Sequence, residues 1–319
     1  MAWIVPRRTS GFVHLMTSEK PSKTLLILAF ASIYIIWGST YLGILYAIET
    51  IPPWALTSMR FLVASSCMAI ASKIKREAPL TKDQVKYSAL SGVLLVSANG
   101  FVCVIEKWVP SGIAAVVIGS MPIWIMLIGW MGFEMARPNL QKIVGACVGL
   151  VGIAMIAVGD THSNETGIFG AYAPLALCIS SWLWATGTLL QRKATNVKSG
   201  LSFLAVQMAS GAAAVVLISC VFEQPWSYDW HSVSAKSWYA LLYLIVFGSL
   251  IGFTAYSWLA RNVEPHLVST YALVNPVIAV WLGWFLVDEP LTAKFIVSTM
   301  LVLLGIIILM KPPRIRTAT

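Results

Sequence analysis

The chain has 319 residues, of which 58% are hydrophobic and only 11% charged, with a formal net charge of +9. A soluble domain carries roughly 25% charged residues, so this balance excludes a soluble enzyme, a secreted disulfide scaffold and a disordered chain. It fits a set of membrane-spanning helices, each taking about 20 mostly apolar residues.

The first 23 residues are moderately polar and basic, without an apolar core ending in a small-residue cleavage site, and read as a retained tail. Ten apolar segments follow, at about 24–48, 54–72, 87–105, 112–133, 142–159, 168–190, 201–222, 238–259, 266–287 and 293–310. They have helix-spanning length and lack the alternation of barrel strands. The expected fold is an all-α integral membrane protein of ten transmembrane helices. Its divisions are a tail at 1–23, helices 1–5 within 24–160, helices 6–10 within 161–310, and a tail at 311–319. The longest connection, 223–237, carries Pro225, Trp226, Tyr228 and Trp230, as a loop resting on the membrane surface would. Cys67, Cys103, Cys147, Cys178 and Cys220 all fall in apolar stretches without a CxxC pair, which is the pattern of small buried hydrophobes rather than of a metal or redox site.

Lys and Arg residues set the orientation. With the N-terminus inside, eighteen of them fall in cytoplasmic pieces and three, Lys107, Lys236 and Lys294, in outside loops. Both termini are therefore expected in the cytoplasm. The charges flank spans instead of forming one stripe, so their partner is the lipid bilayer and not nucleic acid. Trp54, Trp108, Trp226, Trp230 and Trp238 lie near the outer boundary, where an aromatic belt is expected.

The two halves resemble each other. Trp37 matches Trp184 and Arg60 matches Gln207 at an offset of 147; Pro122, Gly129 and Trp130 match Pro276, Gly283 and Trp284 at 154; Gly152 matches Gly305 at 153. A five-helix unit inserted twice must be inverted in the membrane, which places a cavity between the halves near the midplane.

Four motifs carry a family resemblance: Ile36-Trp37-Gly38-Ser39-Thr40-Tyr41, Val109-Pro110-Ser111-Gly112-Ile113-Ala114-Ala115, Asn275-Pro276 and Asp288-Glu289-Pro290-Leu291-Thr292. Together they resemble the EamA-type permeases of the drug/metabolite transporter superfamily, nearest to the YedA-like bacterial inner-membrane exporters, over about residues 24–310. The resemblance implies two inverted repeats of five helices and export of small metabolites, often amino acids, or of drugs. The first half departs from the pattern: it has Glu134-Met135-Ala136-Arg137 where the second has Glu289-Pro290-Leu291-Thr292.

Arg60 lies about seven residues, or roughly 10 Å, into the second span. An arginine at helix centre costs about 2.5–3.5 kcal/mol, so it should face a cavity or a partner. It is a candidate anchor for an anionic group of the cargo; snorkelling or a tie to neighbouring carbonyls is the structural alternative. Trp37 and Trp184 are candidate chamber walls, joined by Tyr34, Tyr41, Tyr256 and Tyr271. Asn99, Gln207 and Asn275 are candidate cargo contacts, although interhelical hydrogen bonds are the commoner use of such amides. Pro122 and Pro276 interrupt their helices at matching points, as hinges or simple bends. Gly145-x-x-x-Gly149 and Gly248-x-x-x-Gly252 fit a homodimer face or packing within the chain. Asn164-Glu165-Thr166 is a sequon read as chance.

No metal motif, phosphate-cradling loop or His/Ser/Asp spacing appears, so neither a cofactor nor catalysis is expected. The rival readings are an antiporter of phosphorylated sugars or nucleotides, which would want several cations in the cavity, and a multi-pass enzyme or structural partner. The acids sit at or beyond span ends, with Glu106 nearest the interior. That leaves proton sensing at Glu106, uniport, or exchange for another solute, with no deep carboxylate relay expected.

Overall fold

The computed structural model describes residues 22–157, 168–263, 268 and 270–311. The sequon, His14, His162 and His266 lie outside them. The helices, in chain order, are α1 (Lys23–Ala47), α2 (Pro53–Ile74), α3 (Lys82–Ile105), α4 (Ser111–Gly132), α5 (Leu140–Ala157), α6 (Ile168–Gln191) and α7 (Gly200–Phe222). Next, α8 runs through Ala235–Tyr243, Leu244–Ile251 and Gly252–Asn262; α9 (Tyr271–Val287) and α10 (Ala293–Met310) follow. Among the described residues eight helices are long and apolar enough to cross a membrane, while Leu140–Ile156 and Tyr271–Val287 are shorter.

Helix N-termini leave unsatisfied N–H groups and a partial positive charge, and three of them are closed by a carboxylate from elsewhere in the chain. Glu77, just past α2, accepts from Leu201 N (3.2 Å) and Ser202 N (2.8 Å) of α7. Glu223, just past α7, accepts from Trp54 N and Ala55 N of α2, both at 2.8 Å. The two helices therefore run antiparallel and cap each other. Glu289, past α9, accepts from Ser111 N (2.7 Å) and Gly112 N (3.0 Å) of α4.

Glycines let these helices approach closely. A Cβ on Gly92 of α3 would lie 1.9 Å from the Gln207 carbonyl oxygen of α7, and one on Gly211 of α7 would lie 2.3 Å from the Gly92 carbonyl. Gly145 would meet the Gly305 carbonyl of α10 at 2.7 Å, and Gly149 the side chain of Ile123 at 2.6 Å; Gly248 faces Arg60 and Gly252 faces Trp37. Both GxxxG pairs are therefore occupied within the chain, and neither leaves a bare glycine face for a second copy.

Trp54 departs from the belt expectation. It is 8% exposed, pairs edge-on with Phe101 at 5.3 Å and lies over Gly100, where a Cβ would approach its ring to 2.2 Å. A glycine on the facing helix opened a slot for the indole. Trp108, Trp226 and Trp238 are exposed. The 223–237 connection folds over one end of the bundle: Tyr228 Oη donates to the Thr50 carbonyl and Trp230 Nε1 to the Pro225 carbonyl at 2.9 Å.

Candidate functional site

A cavity of about 600 Å³ enters the bundle from one end and stops near its middle. Lys142, Arg192 and Lys311 stand at helix ends around its mouth, with Met135, Ala136 and Val197 beside them. Deeper, Leu95, Met121, Pro122 and Phe203 form apolar walls, and the far end is reached at Trp184, Gln207, Phe253, Tyr256 and Tyr271. A mostly apolar concavity with a few polar groups converging on it is the usual form of a small-molecule site, typically of about 300–1,000 Å³.

The floor is an aromatic cluster around Trp37. Its ring lies 5.2 Å from Tyr256, 5.3 Å from Tyr271, 5.6 Å from Phe253 and 6.2 Å from Trp184, the last edge-on at 87°. The repeat-related tryptophans thus meet. Trp37 is held from behind, its Nε1 donating to the Gly248 carbonyl at 3.2 Å. Both partners of that bond sit at π-helical turns, Ser32–Ile36 immediately before Trp37 and Leu244–Ile251 around Gly248. Such turns widen a helix and redirect its side chains; they carry no sequence signal of their own.

Gln207 and Arg60, matched in sequence, fall on different sides of this floor. Gln207 lines the cavity and donates through Nε2 to Ser91 Oγ at 2.7 Å and to Gln191 Oε1 at 3.1 Å. Arg60 is 4% exposed and lies outside the cavity lining. Its Nε donates to Ser249 Oγ at 2.7 Å, and its guanidinium occupies the space over Gly248.

The remaining candidates divide in the same way. Tyr34 sits behind the lining, its hydroxyl 2.6 Å from Thr270 Oγ1. Asn275, with its amide nitrogen turned toward them, donates to the carbonyls of Tyr34 and Tyr271, each at 3.2 Å, and so ties α1 to α9. Asn99 donates back to the Leu95 carbonyl at 3.1 Å within its own helix. Tyr41 packs on the apolar cluster at the closed end. Pro122 lines the cavity just after α4 breaks at Ser120. Pro276 instead packs on Gly119, where a Cβ would lie 2.7 Å from its ring, so the two proline-bearing helices cross there. Phe253, Met121 and the three cations at the mouth were not among the sequence candidates. The first two sit in runs as apolar as any other, and the cations read as ordinary flanking charges.

At the closed end Glu289 is matched to its counterpart differently from the sequence alignment. Asp288 and Glu134 both adopt left-handed backbone, with φ of 54° and 56°. The structure therefore pairs Glu134 with Asp288 and Met135 with Glu289, one residue away from the motif-based pairing.

Long apolar helices packed around a chamber closed at one end define a multi-pass membrane protein with room for a small solute. The sequence profile of the EamA-like transporter family matches residues 24–158 and 171–311, and the chain belongs to that family of membrane transporters. It is 33% identical over 266 residues to the uncharacterized inner membrane transporter YedA of Escherichia coli (strain K12), covering 83% of each chain. It is 22% identical to the uncharacterized transporter YoaV of Bacillus subtilis (strain 168), covering 88% of this chain and 95% of that one. A solved crystal structure superposes with a TM-score of 0.62 at 17% identity, covering 90% of this chain and 97% of the other, and shares the fold.

Proposed function

We propose that this transporter exports small organic metabolites, amino acids or related solutes and drugs, from the cytoplasm by alternating access. On this reading ten helices form two inverted repeats, at 24–160 and 161–310, in a bacterial inner membrane with both termini cytoplasmic. The cavity is then the inward-facing chamber, and its mouth is the end that carries Lys142, Arg192 and Lys311.

The observation that carries this is the split between the repeat-related pair. Gln207 faces the cavity that is open, while Arg60, its counterpart, is buried beyond the aromatic floor. Inverted repeats exchange the conformations of their halves when access alternates. Arg60 would accordingly face solute in the outward-facing form, where its fork of donors suits a carboxylate. The aromatic floor would stack on apolar or aromatic parts of the cargo. The phosphorylated-sugar reading fits less well, because the cations of the cavity stand at its rim, far from the floor.

Flux of labelled amino acids into everted vesicles or proteoliposomes tests the proposal. Saturable uptake that depends on the protein is expected. Chemical conversion of the solute, or uptake equal to that of protein-free liposomes across metabolite classes, would overturn it.

A further inference from the structure

Glu106 is the least accommodated polar group among the described residues. It lies one residue past the end of α3, is 2% exposed, and neither carboxyl oxygen has a hydrogen-bond partner. A carboxylate buried without partners is costly enough that such a group takes up a proton instead. The titratable groups that act on it are Glu289, Tyr41 and Cys103, which come from the segment after α9, from α1 and from α3 itself. Arg60 acts on Cys103, and Arg60 Nε is already engaged by Ser249. Lys107, next along the chain, is exposed. Burial, reinforced by the Glu289 carboxyl, holds the Glu106 carboxyl well above the usual carboxylate range.

Glu289 does not relieve it, because both of its oxygens accept from the N-terminus of α4 and it presents no donor toward Glu106. On the alternating-access reading that contact, which joins α4 to the segment after α9, seals this end of the bundle. The two acids therefore stand together where the closed end would have to part, one engaged in the seal and the other buried behind it.

We propose that Glu106 is a proton-binding site whose occupancy is linked to closure of this end of the transporter. On closure one O–H bond forms between a Glu106 oxygen and a proton from the adjoining outer water. On opening that bond breaks, the proton returns to the same water, and the hydrated carboxylate is left. This rests on the alternating-access reading of the cavity and adds to it the ion that the closed end binds.

The sign follows from the linkage. A carboxyl held above its solvent value binds more protons in the closed form, so acid favours closure. That preference is lost as pH rises through the closed-form value, and the open-to-closed ratio rises by up to about tenfold per pH unit in that window.

Hydrogen-exchange mass spectrometry of the full chain in lipid nanodiscs between pH 5 and 9, with rates corrected for intrinsic exchange, reads this in the peptides covering 102–119. In the wild type their protection should fall by tenfold or more across the range. In Glu106→Gln, and in Glu106→Met should the first fold poorly, it should stay within about twofold. Glu289→Gln should keep a pH slope, displaced toward lower pH because a like charge is removed, while lowering protection at every pH. Flat protection in the wild type, an unchanged slope in both Glu106 variants, or a response to sodium in place of pH would each overturn the proposal. Amino-acid flux that persists with flat protection would overturn proton linkage alone; absence of flux beside a normal pH slope would overturn only the cargo reading.

Discussion

Glu289 and Met135 occupy equivalent places in the two halves, each packed over a glycine of the helix before it, Gly283 or Gly129. Glu289 closes the N-terminus of α4 with two hydrogen bonds, whereas a methionine thioether is at best a weak acceptor. The cavity opens beside Met135 and is shut at the end that has the carboxylate. This asymmetry gives a physical reason for the chain to rest with the Met135 end open and the Glu289 end shut.

Glu289→Met, which copies the first half into the second, should therefore weaken the seal. Charge-assisted bonds to a helix N-terminus of this kind contribute about 2 kcal/mol, so the closed end should open roughly thirtyfold more often. Labelling of a reporter cysteine at Ile113, buried in that end, measures it; a rate unchanged from the parent would count against the latch.

Glu77 and Glu223 perform the same service at opposite ends of the α2–α7 pair. Glu77→Ala and Glu223→Ala should each lower stability by about 1–3 kcal/mol. Because the 22 residues of α2 separate the two caps by about 30 Å, the losses should add in the double variant. Thermal unfolding in detergent reads all three, and strong non-additivity would show that the caps are coupled.

Gly92→Leu should be far more damaging than either cap removal. The Gln207 carbonyl leaves no room for even a Cβ, so α3 and α7 must separate, with an expected loss of membrane abundance and a destabilisation above about 3 kcal/mol. Wild-type abundance would mean that the two helices do not meet there.

Arg60→Ala should lower solute flux at least tenfold while abundance in the membrane stays within about twofold, because the bond it removes goes to a neutral hydroxyl, Ser249 Oγ, and leaves no buried charge unpaired. Gln207→Ala should weaken solute binding from the open side of the cavity instead. Parallel loss of flux and abundance in Arg60→Ala would make the residue a structural tie and nothing more.

Much of this was legible in the sequence. Apolar runs of spanning length locate the helices, and the offsets of 147 and 154 match Trp37 with Trp184 and Pro122 with Pro276 as equivalent positions of the two halves. Of the candidates marked by position alone, Trp184, Gln207, Tyr256 and Tyr271 line the cavity, whereas Trp37, Arg60, Tyr34, Tyr41, Asn99 and Asn275 are not in its lining. What stayed hidden depends on distant approach. Glu289 meets Ser111 across 178 residues, and no local pattern announces such a cap. Trp54 looks like a belt residue until Gly100 is seen to admit it. Glu106 is marked in the sequence as the acid nearest the interior, but its burial without a hydrogen-bond partner depends on packing that hydropathy does not register.

The central claim is that the two ends of one chamber open in turn. Paired spin labels test it, one pair across the mouth at Ala136 and Val197 and another across the closed end at Trp108 and Leu291, in a variant lacking the five native cysteines. Distance distributions measured at pH 5 and pH 9, with and without a saturating amino-acid mixture, should change in antiphase, the first pair shortening as the second lengthens. Distances that lengthen together, or that stay fixed under every condition, would contradict the account.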